Sequence, residues 1–145
     1  MIEKILKIVE LEKQFILEMN DVLTKQQNAL VHLQIGDLPE LNSYQDEIAK
    51  KLKSLEATRI NMIATMFNIP SSKAVAITMT DLAAMSDPKY TPSLKKLRDE
   101  MNTLNMKYSN LSNTNRMLAN RAKNSFSQII SVLTNGNNQV YNVKV

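Results

Sequence analysis

Residues 94–132 read LKKLRDEMNTLNMKYSNLSNTNRMLANRAKNSFSQIISV, and this stretch decides the fold. From Leu94, alternate steps of three and four reach Leu97, Met101, Leu104, Tyr108, Leu111, Asn115, Leu118, Ala122, Ser125, Ile129 and Val132. Only Asn115 and Ser125 interrupt the apolar run in earnest. A 3-4 spacing held this long predicts one long helix with a continuous seam facing other helices. At the usual rise per residue such a rod is about 60 Å long. A short chain can cover only part of so long a side surface, so its uncovered flank is where function is sought.

The rest of the chain supplies partners for that rod. Ile2, Val9, Ile16, Leu23 and Leu30 recur every seven residues, with a second row, Ile8, Phe15, Val22 and Ala29, beside them. Two adjacent rows predict a helix over residues 2–34 with a face broad enough for two neighbours. The remaining row (Ile5, Glu12, Met19, Gln26, Leu33) is mixed, which argues against an ideal two-stranded coiled coil. Gly36 is expected to stop this helix in a left-handed conformation. Asp37 is expected to cap the next one, with Pro39 in its first turn and Glu40 completing a capping-box spacing. So short a link forces an antiparallel hairpin with a second helix over residues 38–68, marked by Leu41, Ile48, Leu55, Met62 and Ile69. Arg59 lies among the seam positions and is expected either to snorkel or to pair with Glu12 or Glu56.

Between the hairpin and the rod, residues 71–86 predict a short helical insert. Thr80 is read as the cap of the element Asp81 to Met85. Ser86-Asp87-Pro88 is turn chemistry, and Thr91 with Pro92 is read as the start of the final helix, residues 92–134. The fold class is all-α: a hairpin, an insert and a long third helix in a three-helix, coiled-coil-like bundle. Residues 1–134 are expected to form one domain and residues 135–145 a flexible tail.

Composition narrows the function. The chain of 145 residues has two Gly, no Cys and one His, so thiol chemistry and a Cys-based zinc site are excluded. His32, near the end of the first helix, is expected to be a surface or capping residue. No nucleophile–base pair, phosphate-binding Gly loop or metal-spaced cluster occurs, so no enzyme and no cofactor is expected. The amphipathic start is not a signal peptide, and no apolar run approaches the roughly 20 residues that span a bilayer. A cytoplasmic protein without membrane insertion is the expectation. Net charge is +4, and no Asp or Glu follows Glu100, while Lys107, Arg116, Arg121, Lys123 and Lys144 do. Such a basic end suits either a solvated helix face matched to the helix dipole or contact with nucleic acid or anionic lipid. The cations are spread and lack interleaved aromatics, so no nucleic-acid partner is expected.

Three stretches together resemble the FlgN-type flagellar export chaperones. They are Ala29 to Leu41 with the charged run Glu47 to Arg59, the element Thr80-Asp81-Leu82-Ala83, and Leu111 to Leu118 leading through Ser125 and Phe126 to the closing apolar row and Tyr141, with Asn110 to Leu118 the most specific piece. The resemblance spans nearly the whole chain. It implies a small cytoplasmic helical chaperone of the flagellar type III secretion system. Its implied partners are the C-terminal segments of the hook–filament junction proteins, FlgK-like and FlgL-like, and the flagellar export apparatus. Cargo binding toward the family's C-terminal part maps here onto Asn115, Leu118, Ala119, Ala122, Phe126, Ile129, Ile130 and Leu133. That mapping fits helix-in-groove recognition, with Met101, Met106 and Met117 as adaptable contacts. The residues themselves leave alternatives open. Asn115 can fix register or bond to cargo. Arg116 and Arg121 can be solvated or pair with an acidic cargo tail. Phe126, Ile130 and Leu133 can be core or cargo face. The alternatives for the whole chain are another helical secretion component, or a structural coiled-coil homo-oligomer without cargo.

Overall fold

The computed structural model describes residues 1–135. Three long helices dominate it: α1 (Ile2–Val31), α2 (Leu38–Phe67) and α5 (Thr91–Asn135), with the short α3 (Ser71–Ala74) and α4 (Met79–Met85) between them. No strand occurs among the described residues, so the all-α bundle read from the spacing is the observed class. The expected tail, save Asn135, lies outside the described residues, as does Tyr141.

α1 is the central rod. α2 runs back along it and α5 packs along its other side, while among the described residues no Cα of α2 comes within 8 Å of α5. α5 runs parallel to α1. Tyr90 Oη donates to Glu3 at 2.9 Å at one end, Lys13 Nζ meets Glu100 at 2.6 Å further along, and Asn115 Nδ2 donates to the Leu23 carbonyl at 2.8 Å beyond that.

Being central changes which rows of α1 are buried. The mixed row is buried from Ile5 through Glu12 and Met19 to Gln26, with Leu33 at its end exposed, whereas the second row is split, Ile8 and Phe15 partly covered and Val22 and Ala29 buried. Polar side chains survive there because each has a partner, which a buried polar group requires. Glu12 accepts from Arg59 Nε at 2.8 Å, the pairing expected of Arg59. Gln26 donates to Asn42 and Gln45, and Asn20 donates to the Leu104 carbonyl.

Two apolar clusters flank the Glu12–Arg59 pair. The larger gathers Ile2, Ile5, Val9, Ile63, Ala74, Leu82, Leu94 and Leu97, so all five helices meet at the open end of the hairpin. The smaller joins Met19, Val22, Leu23 and Ile48, with Leu111 of α5 packed against them. The insert α3–α4 is a plug for the first cluster.

Four boundary expectations are corrected. Gly36 does not end α1: its φ is not positive, and a Cβ there would meet nothing within 4 Å. Leu33 takes the left-handed conformation instead (φ 55), with the Gln34 amide donating to the Ala29 carbonyl at 2.8 Å and the Leu33 amide to Leu30 at 3.3 Å. This is the paired closure of a Schellman motif. Asn68 ends α2 in the same way (φ 52). Asp37 precedes α2 without a side-chain cap bond, because the 3-10 turn Ile35–Asp37 already runs into the helix. Thr91 is likewise inside a continuous winding, since a 3-10 turn over Pro88–Tyr90, capped by Asp87, leads into α5.

The fourth correction is the cap of α4, which is Thr78 and not Thr80. The Thr78 hydroxyl accepts from the Asp81 amide at 3.1 Å, and the Asp81 carboxylate accepts from the Thr78 amide at 2.9 Å. The Thr78 backbone amide first, and the Thr78 side chain second, hold the Asp81 carboxyl below its ordinary value of 3.8. A depressed carboxylate stabilises the fold above its unfolded pKa and loses that contribution as pH falls through the folded value. Asp81→Asn is therefore expected to lower stability at neutral pH, because a neutral amide accepts from the Thr78 amide more weakly than a carboxylate does. The gap between variant and parent should narrow in acid, as read by urea titration at both pH values.

Candidate functional site

The seam of α5 points as the spacing predicts, but its burial fades along the rod. Leu94 and Leu97 are buried, Met101, Leu104, Leu111 and Leu118 are partly covered, and Ile129 and Val132 are 55% and 71% exposed. Length explains this. α5 has 45 residues and α1 has 30, so rods that start together end about 20 Å apart. From about Ala122 onward α5 overhangs its neighbours.

At the step where α1 stops, the overhang forms an apolar notch of about 330 Å³. Its walls are Leu30, Val31 and Leu33 on one side and Leu118, Ala122, Phe126 and Ile129 on the other, with Arg121 and Ser125 at the rim. Phe126 is 45% exposed, Leu33 63% and Leu133 68%. At about 100° per residue, Leu118, Ile129, Ala122, Leu133, Phe126, Ala119 and Ile130 fall within one face about 120° wide. Contiguous apolar exposure of this kind marks a binding surface more often than a free one.

The sequence-predicted residues are thus divided. Leu118, Ala122, Phe126 and Ile129 line the notch together. Ala119 is exposed at the edge of the same face, and the partly buried Ile130 and the exposed Leu133 continue it along the overhang. Asn115 is buried; its Nδ2 donates to the Leu23 carbonyl of α1, while its Oδ1 has no hydrogen-bond partner among the described residues. That bond, with the reciprocal one from Asn20 to Leu104, supports the register alternative for Asn115.

Sequence reasoning missed the α1 wall. Leu30 and Leu33 were legible as apolar, but that they face the rod depends on where α1 ends. The one available signal is conformational. Leu33 holds a left-handed backbone, which costs an L-residue about 1–2 kcal/mol. Most chains place Gly there. Leu33→Gly is expected to raise stability by about 1 kcal/mol, since a side chain this exposed loses little burial. It should also remove one wall of the notch, so a melt and a binding titration on the same variant should move in opposite senses.

Charge around the notch has one sign. No carboxylate lines it. Arg121 stands on one border of the apolar face, and Arg116 and Lys123 stand on the other; none of the three forms an ion pair among the described residues. Arg116 donates to Asn113 at 2.5 Å.

Two roomier grooves lie elsewhere, one of about 630 Å³ between α1 and α5 beside Leu6, Leu11 and Leu97, and one of about 460 Å³ between α2 and α5, floored by Met19 and the Glu12–Arg59 pair. Both are walled by charged side chains of both signs, Lys7, Glu10, Lys96 and Glu100 in the first and Glu12, Lys53, Glu56 and Arg59 in the second, whereas Arg121 is the one charged residue lining the notch. His32 is exposed, its Nδ1 2.8 Å from the Asn28 carbonyl oxygen. Among the described residues no group of three or more His, Cys, Asp or Glu could hold a metal ion, and no helix is long and apolar enough to cross a membrane.

The model of one family, described as FlgN protein, matches residues 1–144. No curated protein and no solved structure matches the chain.

Proposed function

The chain belongs to the FlgN family of flagellar export chaperones, and on that premise we propose that it escorts the C-terminal helical segments of hook–filament junction proteins in the cytoplasm. It keeps those segments soluble and hands them to the export apparatus. Residues 1–134 act as one bundle domain, with the overhanging flank of α5 and the end of α1 as the cargo site.

The observation that carries this is the uncovered apolar face from Leu118 to Leu133, which has no covering element among the described residues. An amphipathic segment that otherwise self-associates would lay its residues i, i+3, i+4 and i+7 on that face. Each protein would then conceal what the other exposes. The core stays intact while this happens, because the two apolar clusters lie further back along α1.

Titration with FlgK-like and FlgL-like C-terminal segments tests the proposal. A one-to-one complex at micromolar concentration is the expected result. No complex with either segment, together with a stable higher oligomer in light scattering, would favour a structural coiled coil instead.

A further inference from the structure

We propose that the partner helix seated on the α5 flank carries carboxylates along both borders of its apolar stripe. This rests on the proposed escort function and names the chemistry of what is escorted. The apolar face is bordered by Arg121 on one side and by Arg116 and Lys123 on the other, and no carboxylate lines the notch. No Asp or Glu follows Glu100 anywhere in the chain, so nothing within the rod's distal half neutralises these cations. A docked helix would bring its flanking residues beside these borders, at a surface that excludes water from its centre. Carboxylates there gain attraction on both edges, and lysines there are repelled on both, which selects the partner as well as holding it.

An anionic membrane is the other surface a basic apolar helix can meet. The geometry favours a helix. The notch is concave, and its floor, the partly buried Leu30 and Ala122, is reachable by a rod but not by a flat bilayer.

The test uses three synthetic amphipathic peptides with one apolar stripe and borders of Glu, Gln or Lys, titrated against the full chain by fluorescence anisotropy. The expected order of affinity is Glu, then Gln, then Lys, with about tenfold between the extremes at low salt and a smaller gap at high salt. The triple variant Arg116→Gln, Arg121→Gln, Lys123→Gln should lose the order. All three residues are exposed, so the fold is not at risk. Equal binding of the three peptides by the parent protein overturns the charge proposal and leaves the escort site standing. Failure of all three to bind overturns both. Sedimentation with phosphatidylserine-containing vesicles, lost in the triple variant, combined with no order among the peptides, overturns it in favour of a lipid surface.

Discussion

Ile129→Glu together with Leu133→Glu is expected to weaken binding of a junction-protein segment by more than about a hundredfold, which is close to 3 kcal/mol. The two side chains are 55% and 68% exposed in the free protein, so each still has most of its apolar area to bury. Full burial of a side chain of this size is worth about 1.5–3 kcal/mol. The substitution removes that gain at two positions of one face and asks a partner to desolvate two carboxylates besides. The melting temperature should hardly change, because neither residue contributes much to folding. Met106→Glu is the control. The sequence reading of Met106 as an adaptable cargo contact is corrected: it is 69% exposed, but at about 100° per residue it falls on the side of α5 opposite the apolar face and should leave binding alone. Equal losses from Met106→Glu and from the double variant would mean that added charge, and not the face, is responsible.

Ile63→Ala is expected to do the reverse. Ile63 is fully buried where α1, α2, α3, α4 and α5 meet. Truncation there removes transfer energy and leaves a cavity that the plug of Ala74 and Leu82 cannot easily fill, a cost of about 2–5 kcal/mol. Urea titration should show that loss as a lower midpoint with the slope little changed. Below the unfolding transition the variant should still bind its segment, since the notch lies at the far end of α1. A loss under about 1 kcal/mol would mean that the plug does not hold the helices together as described.

How much of this was legible in the sequence follows from which forces are local. The seam of α5 was legible because a 3-4 spacing has only one compact solution. The hairpin was legible because Gly36, Asp37 and Pro39 cluster between two heptad rows. The atom-level ends were not. Leu33 overrides its own conformational preference, and it does so where its side chain completes the notch. Two threonines, Thr78 and Thr80, both offer a cap at the start of a short helix, and only the reciprocal bond with Asp81 chooses Thr78 and leaves Thr80 inside α4. The depth of Glu12 and Gln26 was obscured because a polar residue in a mixed row looks exposed until its partners, Arg59 from α2 and Asn42 with Gln45, are known.

The candidate site divides along the same line. Its α5 half follows from spacing alone, since Phe126, Ile129, Ile130 and Leu133 prolong the apolar face past the point where α1 can cover it. Its α1 half depends on a difference in length between two parallel rods, and that is tertiary information. The borders of Arg116, Arg121 and Lys123 were visible as charges, but only the placement of Arg121 at the rim gives them a common object.

Hydrogen–deuterium exchange of the free chain and of its complex with a junction-protein segment probes the uncovered flank most directly. Backbone amides from Leu118 to Thr134 should exchange readily in the free protein, as the least supported part of the rod. On binding they should slow together with Leu30 to Leu33, while the amides around Ile63 and Leu82 stay as they were. Strong protection of that distal stretch in the monomer without a segment, or a complex that slows some other face and leaves it unchanged, would contradict the escort role.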